Sequence, residues 1–113
     1  EKWANFPNEQ NRLYELLAKR QTSKVFVISG DRHAGEFSAE SVKSGSKPLI
    51  DVTSSGLTNT WSRQFDETNS RALGPKVIEN NYGLIEIDWR DTSNPVVRIS
   101  IKGAKGAIQS TTL

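Results

Sequence analysis

Apolar residues recur at three- and four-residue spacing near the start of the chain, where Leu13, Leu16, Leu17 and Arg20 follow one another around a helical turn. The spacing predicts an amphipathic helix over residues 7–20 whose leucine face packs on a sheet. Pro7 suits a first turn, Glu9 lies near the positive end of the helix dipole, and Lys19 and Arg20 lie near its negative end. The period then changes. Val25-Phe26-Val27-Ile28 is an unbroken β-branched and aromatic run, which reads as a central strand covered on both faces. It stops at Gly30-Asp31-Arg32-His33-Ala34-Gly35, where two glycines bracket charged residues and a sharp turn is expected.

Residues 38–47 are polar and read as loop, residues 48–53 as a second strand, and residues 62–76, without a clean period, as a long irregular loop. The last third alternates. Ile85, Ile87 and Trp89 fall on one face of a strand and Leu84, Glu86 and Asp88 on the other, leaving one face wet. After a turn over residues 90–95, Val97, Ile99 and Ile101 alternate with Val96, Arg98 and Ser100. Gly103-Ala104-Lys105-Gly106 then leads to a final strand over residues 107–112, which completes an antiparallel meander. The expected fold class is α/β with an α+β-like character: one helix on a mixed, largely antiparallel sheet, without internal repeats.

Composition narrows the picture. The chain has 113 residues, one small domain at most, and only 35% are hydrophobic, which suits a thin or shared core. Lys plus Arg number 15 against 13 Asp plus Glu, so no basic tract points to nucleic acid. No apolar run approaches the roughly 20 residues of a membrane span. Cysteine is absent, which removes disulfides, thiolate nucleophiles and Cys-based zinc sites. The chain opens at Glu1 without an initiator Met, and we expect residues 1–113 to be the C-terminal part of a longer domain.

The candidate chemistry sits at the end of the first strand, the usual location in open α/β sheets. His33, the sole histidine, follows Asp31 by two residues, a spacing that allows both to face one metal ion. A solvent-exposed loop histidine beside a turn-capping aspartate is the plain alternative, and Asp31 as acid, base or orienting partner of His33 is a third. Arg32 and Arg63 each offer a two-pronged contact to a phosphate, against the commoner role of a surface arginine. Ser55 lacks the flanking glycines of a nucleophile elbow, and Gly103 and Gly106 belong to a hairpin turn.

Four ordered blocks resemble PhoD-like alkaline phosphatases, within the calcineurin-like metallophosphatase superfamily. Val25-Phe26-Val27-Ile28-Ser29-Gly30-Asp31-Arg32-His33 is similar to their strand-then-GD-x-H segment, and Trp3-Ala4-Asn5-Phe6-Pro7 with Arg12 and Leu13 to a W-x-G-Y-P segment preceding R-x-R-L-L. Thr53-Ser54-Ser55-Gly56-Leu57-Thr58-Asn59-Thr60-Trp61 resembles a T-S-S-G-L-T-H-S-W block, with Asn59 in place of its histidine. The stretch from Asn80 to Trp89 resembles an N-x-G-hydrophobic strand.

The resemblance implies a β-sandwich flanked by helices, of which this chain is one half and mainly one sheet and one helix. It implies hydrolysis of phosphomonoesters or phosphodiesters by a metal-bound hydroxide, with His33 and Asp31 as catalytic and metal-ligating residues. Asp31 stands where the wider superfamily has histidine and is either a ligand or a partner of one. The cofactor would be a bimetal centre, iron with calcium or other divalent ions; Asn59 and Arg32 would be substrate-binding. The partners would be a phosphate ester and the N-terminal portion of the same protein, joined covalently or as a separate chain. Secretion or a periplasmic location would follow. A β-rich binding or interaction module without the chemistry is the alternative.

Overall fold

The computed structural model describes residues 3–19, 24–42, 44, 47–61 and 68–113. A 3-10 turn at Trp3–Asn5 leads into helix α1 (Pro7–Lys19), followed by strands β1 (Phe26–Ser29), β2 (Gly35–Glu40), β3 (Leu49–Ser54), β4 (Tyr82–Asp88), β5 (Val96–Gly103) and β6 (Gly106–Thr112). The fold is α+β, with the strands in two three-stranded sheets, β1-β3-β2 and β4-β5-β6. In the first, β3 runs parallel to β1 and antiparallel to β2. The second is the expected antiparallel meander, with a bulge between Ile101 and Lys102.

Strand alternation builds the core. Register places Phe26, Ile50, Val52, Phe37 and Ala39 on one face of the first sheet. That face meets Val97, Ile99 and Ile101 of β5, with Val77 and Leu113 closing the cluster. Ile99 and Ile101 are fully buried, and each contributes about 1.5–3 kcal/mol of apolar burial. Val77 joins through a two-way backbone bridge to Gly35, at 2.8 and 2.7 Å.

Helix α1 begins at Pro7, whose missing N–H is no loss in a first turn. The Phe6 carbonyl accepts from the Gln10 amide at 3.1 Å. Leu13 and Leu17 are half-buried and Leu16 is exposed, and the helix buries no residue completely; Gln10 and Tyr14 are the helix residues that line the cleft over the sheet. Position 20, the expected end of the helix, lies outside the described residues.

Three expectations need correction. First, β1 is an edge strand, because β3 takes the central place, and Ile28 is 65% exposed on the face expected to be covered. Second, the polar stretch from Ser38 contains the end of a strand: β2 runs to Glu40, with Phe37 and Ala39 facing in and Glu36, Ser38 and Glu40 facing out. Third, Ile85 and Ile87 share a face with Ile99 and Val97 yet remain exposed, as does Trp89. The facing sheet does not cover these three positions. Lys24 donates to Asn94 Oδ1 at 2.9 Å and to the Pro95 carbonyl, which ties the start of β1 to the β4–β5 turn. The resemblance implied mainly one sheet; the strands here divide into two.

Candidate functional site

Because β3 lies between β1 and β2, the segment from Gly30 to Ala34 has to pass over the end of β3. Ser29 pairs with Thr53, so the crossing sits at the aligned C-terminal ends of two parallel strands. It covers two inter-strand spacings, about 9.6 Å. The chain makes the crossing with two non-glycine residues in the left-handed region, Asp31 at φ 67° and His33 at φ 51°. Each costs about 1–2 kcal/mol relative to ordinary helical backbone, somewhat less for Asp and His than for other side chains.

Surrounding hydrogen bonds hold that geometry. The Ala34 carbonyl accepts from the Ser55 amide at 3.1 Å and from Ser55 Oγ at 3.2 Å, and the His33 carbonyl accepts from the Trp61 amide at 3.2 Å. Ser55 is therefore a structural donor in this turn. Beneath it lies Asn81, 2% exposed. Its amide donates to the Gly56 carbonyl at 3.0 Å, its Nδ2 to the Glu79 carbonyl at 2.8 Å, and its Oδ1 accepts from Ser54 Oγ at 3.2 Å. A Cβ on Gly56 would stand 2.3 Å from Asn81 Nδ2, and one on Gly35 2.9 Å from Ile101 Cγ2. Asn81 thus joins the ends of β3 and β4 to the turn that carries His33, a role its sequence context did not mark.

His33 is half-buried, and its imidazole meets the Trp61 indole edge-on, with centroids 6.3 Å apart and planes at 73°. Its Nδ1 is buried without a hydrogen-bond partner among the described residues, which leaves a strong polar atom unsatisfied. Asp31 is exposed, and among the described residues it makes no hydrogen bond to His33 Nδ1. Asn59 is exposed, two residues before Trp61. Arg63 lies outside the described residues.

Arg32 faces elsewhere. It lines a cleft of about 530 Å³ between the N-terminal turn and helix and the outer face of the β1-β3-β2 sheet. Asp51, between the apolar Ile50 and Val52 of β3, lines the cleft and accepts from Ser29 Oγ at 3.0 Å; Ser29 Oγ also bonds Thr53 Oγ1 at 2.6 Å. Burial pushes the Asp51 carboxyl above its ordinary range, the Ser29 hydroxyl partly offsets this, and the negative charge of Glu36 adds to the rise.

The donors in the turn suit a metal in kind, an imidazole with a bare buried nitrogen and a carboxylate two residues away. They do not suffice in number, since among the described residues no group of three His, Asp or Glu side chains converges on one point. Comparison with protein-family models, with curated proteins and with solved structures finds no match for this chain.

Proposed function

We propose that this chain is the C-terminal part of a metal-dependent phosphoesterase of the PhoD-like type, with its share of the active site in the turn from Asp31 to His33. The observation that carries the reading is the buried Nδ1 of His33, without a hydrogen-bond partner among the described residues and held in a left-handed turn at the C-terminal ends of two parallel strands. Strain and an unsatisfied donor–acceptor atom together cost free energy that a purely structural loop has no reason to retain. The four sequence blocks that resemble the family add the chemical class.

In this reading His33 holds one metal ion and Asp31 contributes a second donor to it. Bound there, a bimetal centre would supply a hydroxide nucleophile and absorb the charge that develops on phosphoryl oxygens. Trp61 fixes the plane of the imidazole and screens one edge from water. Asn59 belongs to the substrate side, and phosphate monoesters or diesters are the substrate class. The remaining ligands come from the N-terminal portion of the same protein. The exposed Ile28, Ile85, Ile87 and Trp89 are surface that such a portion would cover. A secreted or periplasmic location goes with the family resemblance.

The test is to assay the complete protein against p-nitrophenyl phosphate and bis-p-nitrophenyl phosphate while measuring bound metal. Turnover with stoichiometric metal supports the reading. Absence of both overturns it and leaves a β-rich binding module.

A further inference from the structure

We propose that the cleft between the N-terminal helix and the β1-β3-β2 sheet is a binding site for a small organic ammonium ion, with Asp51 as its counter-ion. The site adjoins the turn that carries His33: Gly30, Arg32 and Ala34 line it, while Asp31 and His33 do not. At about 530 Å³ it falls within the size range of small-molecule pockets.

The charge balance inside the cleft selects the ligand. Glu40 is engaged by Arg71 and Glu36 by Lys76 at 3.8 Å, and Arg32 is engaged as well, so these groups are already partnered. Asp51 has no cation within salt-bridge distance among the described residues; only the Ser29 hydroxyl donates to it. A partly buried carboxylate with one neutral donor has acceptor capacity left over, and a primary ammonium with three donors meets it. Ser29 and Thr53, bonded to each other at 2.6 Å, place further hydroxyl oxygens beside it. Trp3 and Tyr14 line the cleft from the N-terminal turn and the helix, and aromatic walls favour both an ammonium and the hydrocarbon attached to it. Burial raises the Asp51 carboxyl above its ordinary range, and a bound cation would lower it again.

The experiment uses the full protein, isotopically labelled, titrated at neutral pH with phenethylamine and with its uncharged and anionic counterparts, phenethyl alcohol and 3-phenylpropionate. The amine should shift the amide signals of Ser29, Asp51 and Thr53 and the Trp3 indole N–H, and should bind at least about tenfold more tightly than the alcohol. Asp51→Asn should abolish that preference. Trp3→Ala, which leaves the sheet untouched, should weaken the amine and the alcohol alike. Equal binding of amine and alcohol, tighter binding of the propionate, or an unchanged preference in Asp51→Asn would overturn the proposal. None of these outcomes depends on phosphoesterase activity.

Discussion

The Trp61 amide donates to the His33 carbonyl at 3.2 Å, while the two rings of the same residues meet edge-on at 6.3 Å. One residue therefore fixes both the backbone and the side chain of the other. The loop after β3 acts as a clamp on the turn after β1, and the site depends on a contact 28 positions apart in the chain.

Trp61→Ala should remove the ring contact and leave the backbone bond. An edge-on aromatic pair contributes about 0.5–1.5 kcal/mol beyond its area, so a stability loss of about 1 kcal/mol is expected in urea denaturation. The His33 ring protons should also lose the ring-current shift that the indole imposes. An unchanged imidazole spectrum would show that the pair is not formed in solution.

Asp31→Gly separates strain from function. Left-handed backbone costs a non-glycine residue about 1–2 kcal/mol, and the added flexibility of glycine in the unfolded chain offsets roughly 0.5–1 kcal/mol of the relief. The variant should be as stable as the parent, or up to about 1 kcal/mol more stable, while losing activity in the complete protein. Equal stability with full activity would remove Asp31 from the site.

Gly56→Ala should destabilise by about 1–3 kcal/mol, the usual range for forcing atoms into a packed position. The new Cβ would stand 2.3 Å from Asn81 Nδ2 and 2.7 Å from Thr60 Cγ2. Relief of the clash by pairing the substitution with Asn81→Ser would confirm the location of the strain, at the cost of the hydrogen bonds Asn81 makes. A neutral Gly56→Ala would contradict the close approach.

Asp51 gives a pH signature. Burial raises its carboxyl above the ordinary value of 3.8, so the folded state holds the proton more tightly than the unfolded chain. Wild-type stability should therefore fall, relative to Asp51→Asn, as pH rises from 3.8 through the raised value, and the difference should be constant below 3.8. Denaturation midpoints of both proteins between acidic and neutral pH check the sign. Wild-type stability that rises relative to Asp51→Asn over that range would contradict it.

The sequence disclosed what depends on local period. Helix α1, β3, β5 and β6 announce themselves through leucine spacing, apolar runs and alternation, and Gly30 and Gly35 mark the turn between β1 and β2. β2 was hidden because its inward positions are Gly35, Phe37 and Ala39, two of them small and poor strand formers. The edge position of β1 follows from which strand lies beside it, and the exposure of Ile85 and Ile87 from how far one sheet extends over another; no local pattern encodes either. At the site, Asp31 and His33 were legible as residue types. Their left-handed backbone was not, since neither is glycine, and the unpartnered Nδ1 arises from packing by distant residues. Asp51 carried a visible signal, an acid between the apolar Ile50 and Val52, which the pattern of the strand alone did not convert into a site.

The most direct test of the proposed chemistry is metal content measured alongside phosphoesterase turnover in the complete protein and in its His33→Ala variant, with folding checked by circular dichroism. The account predicts that a folded variant loses metal and turnover together, because removing an imidazole ligand weakens the site that generates the nucleophile. Unchanged metal content and turnover in the folded variant would contradict it.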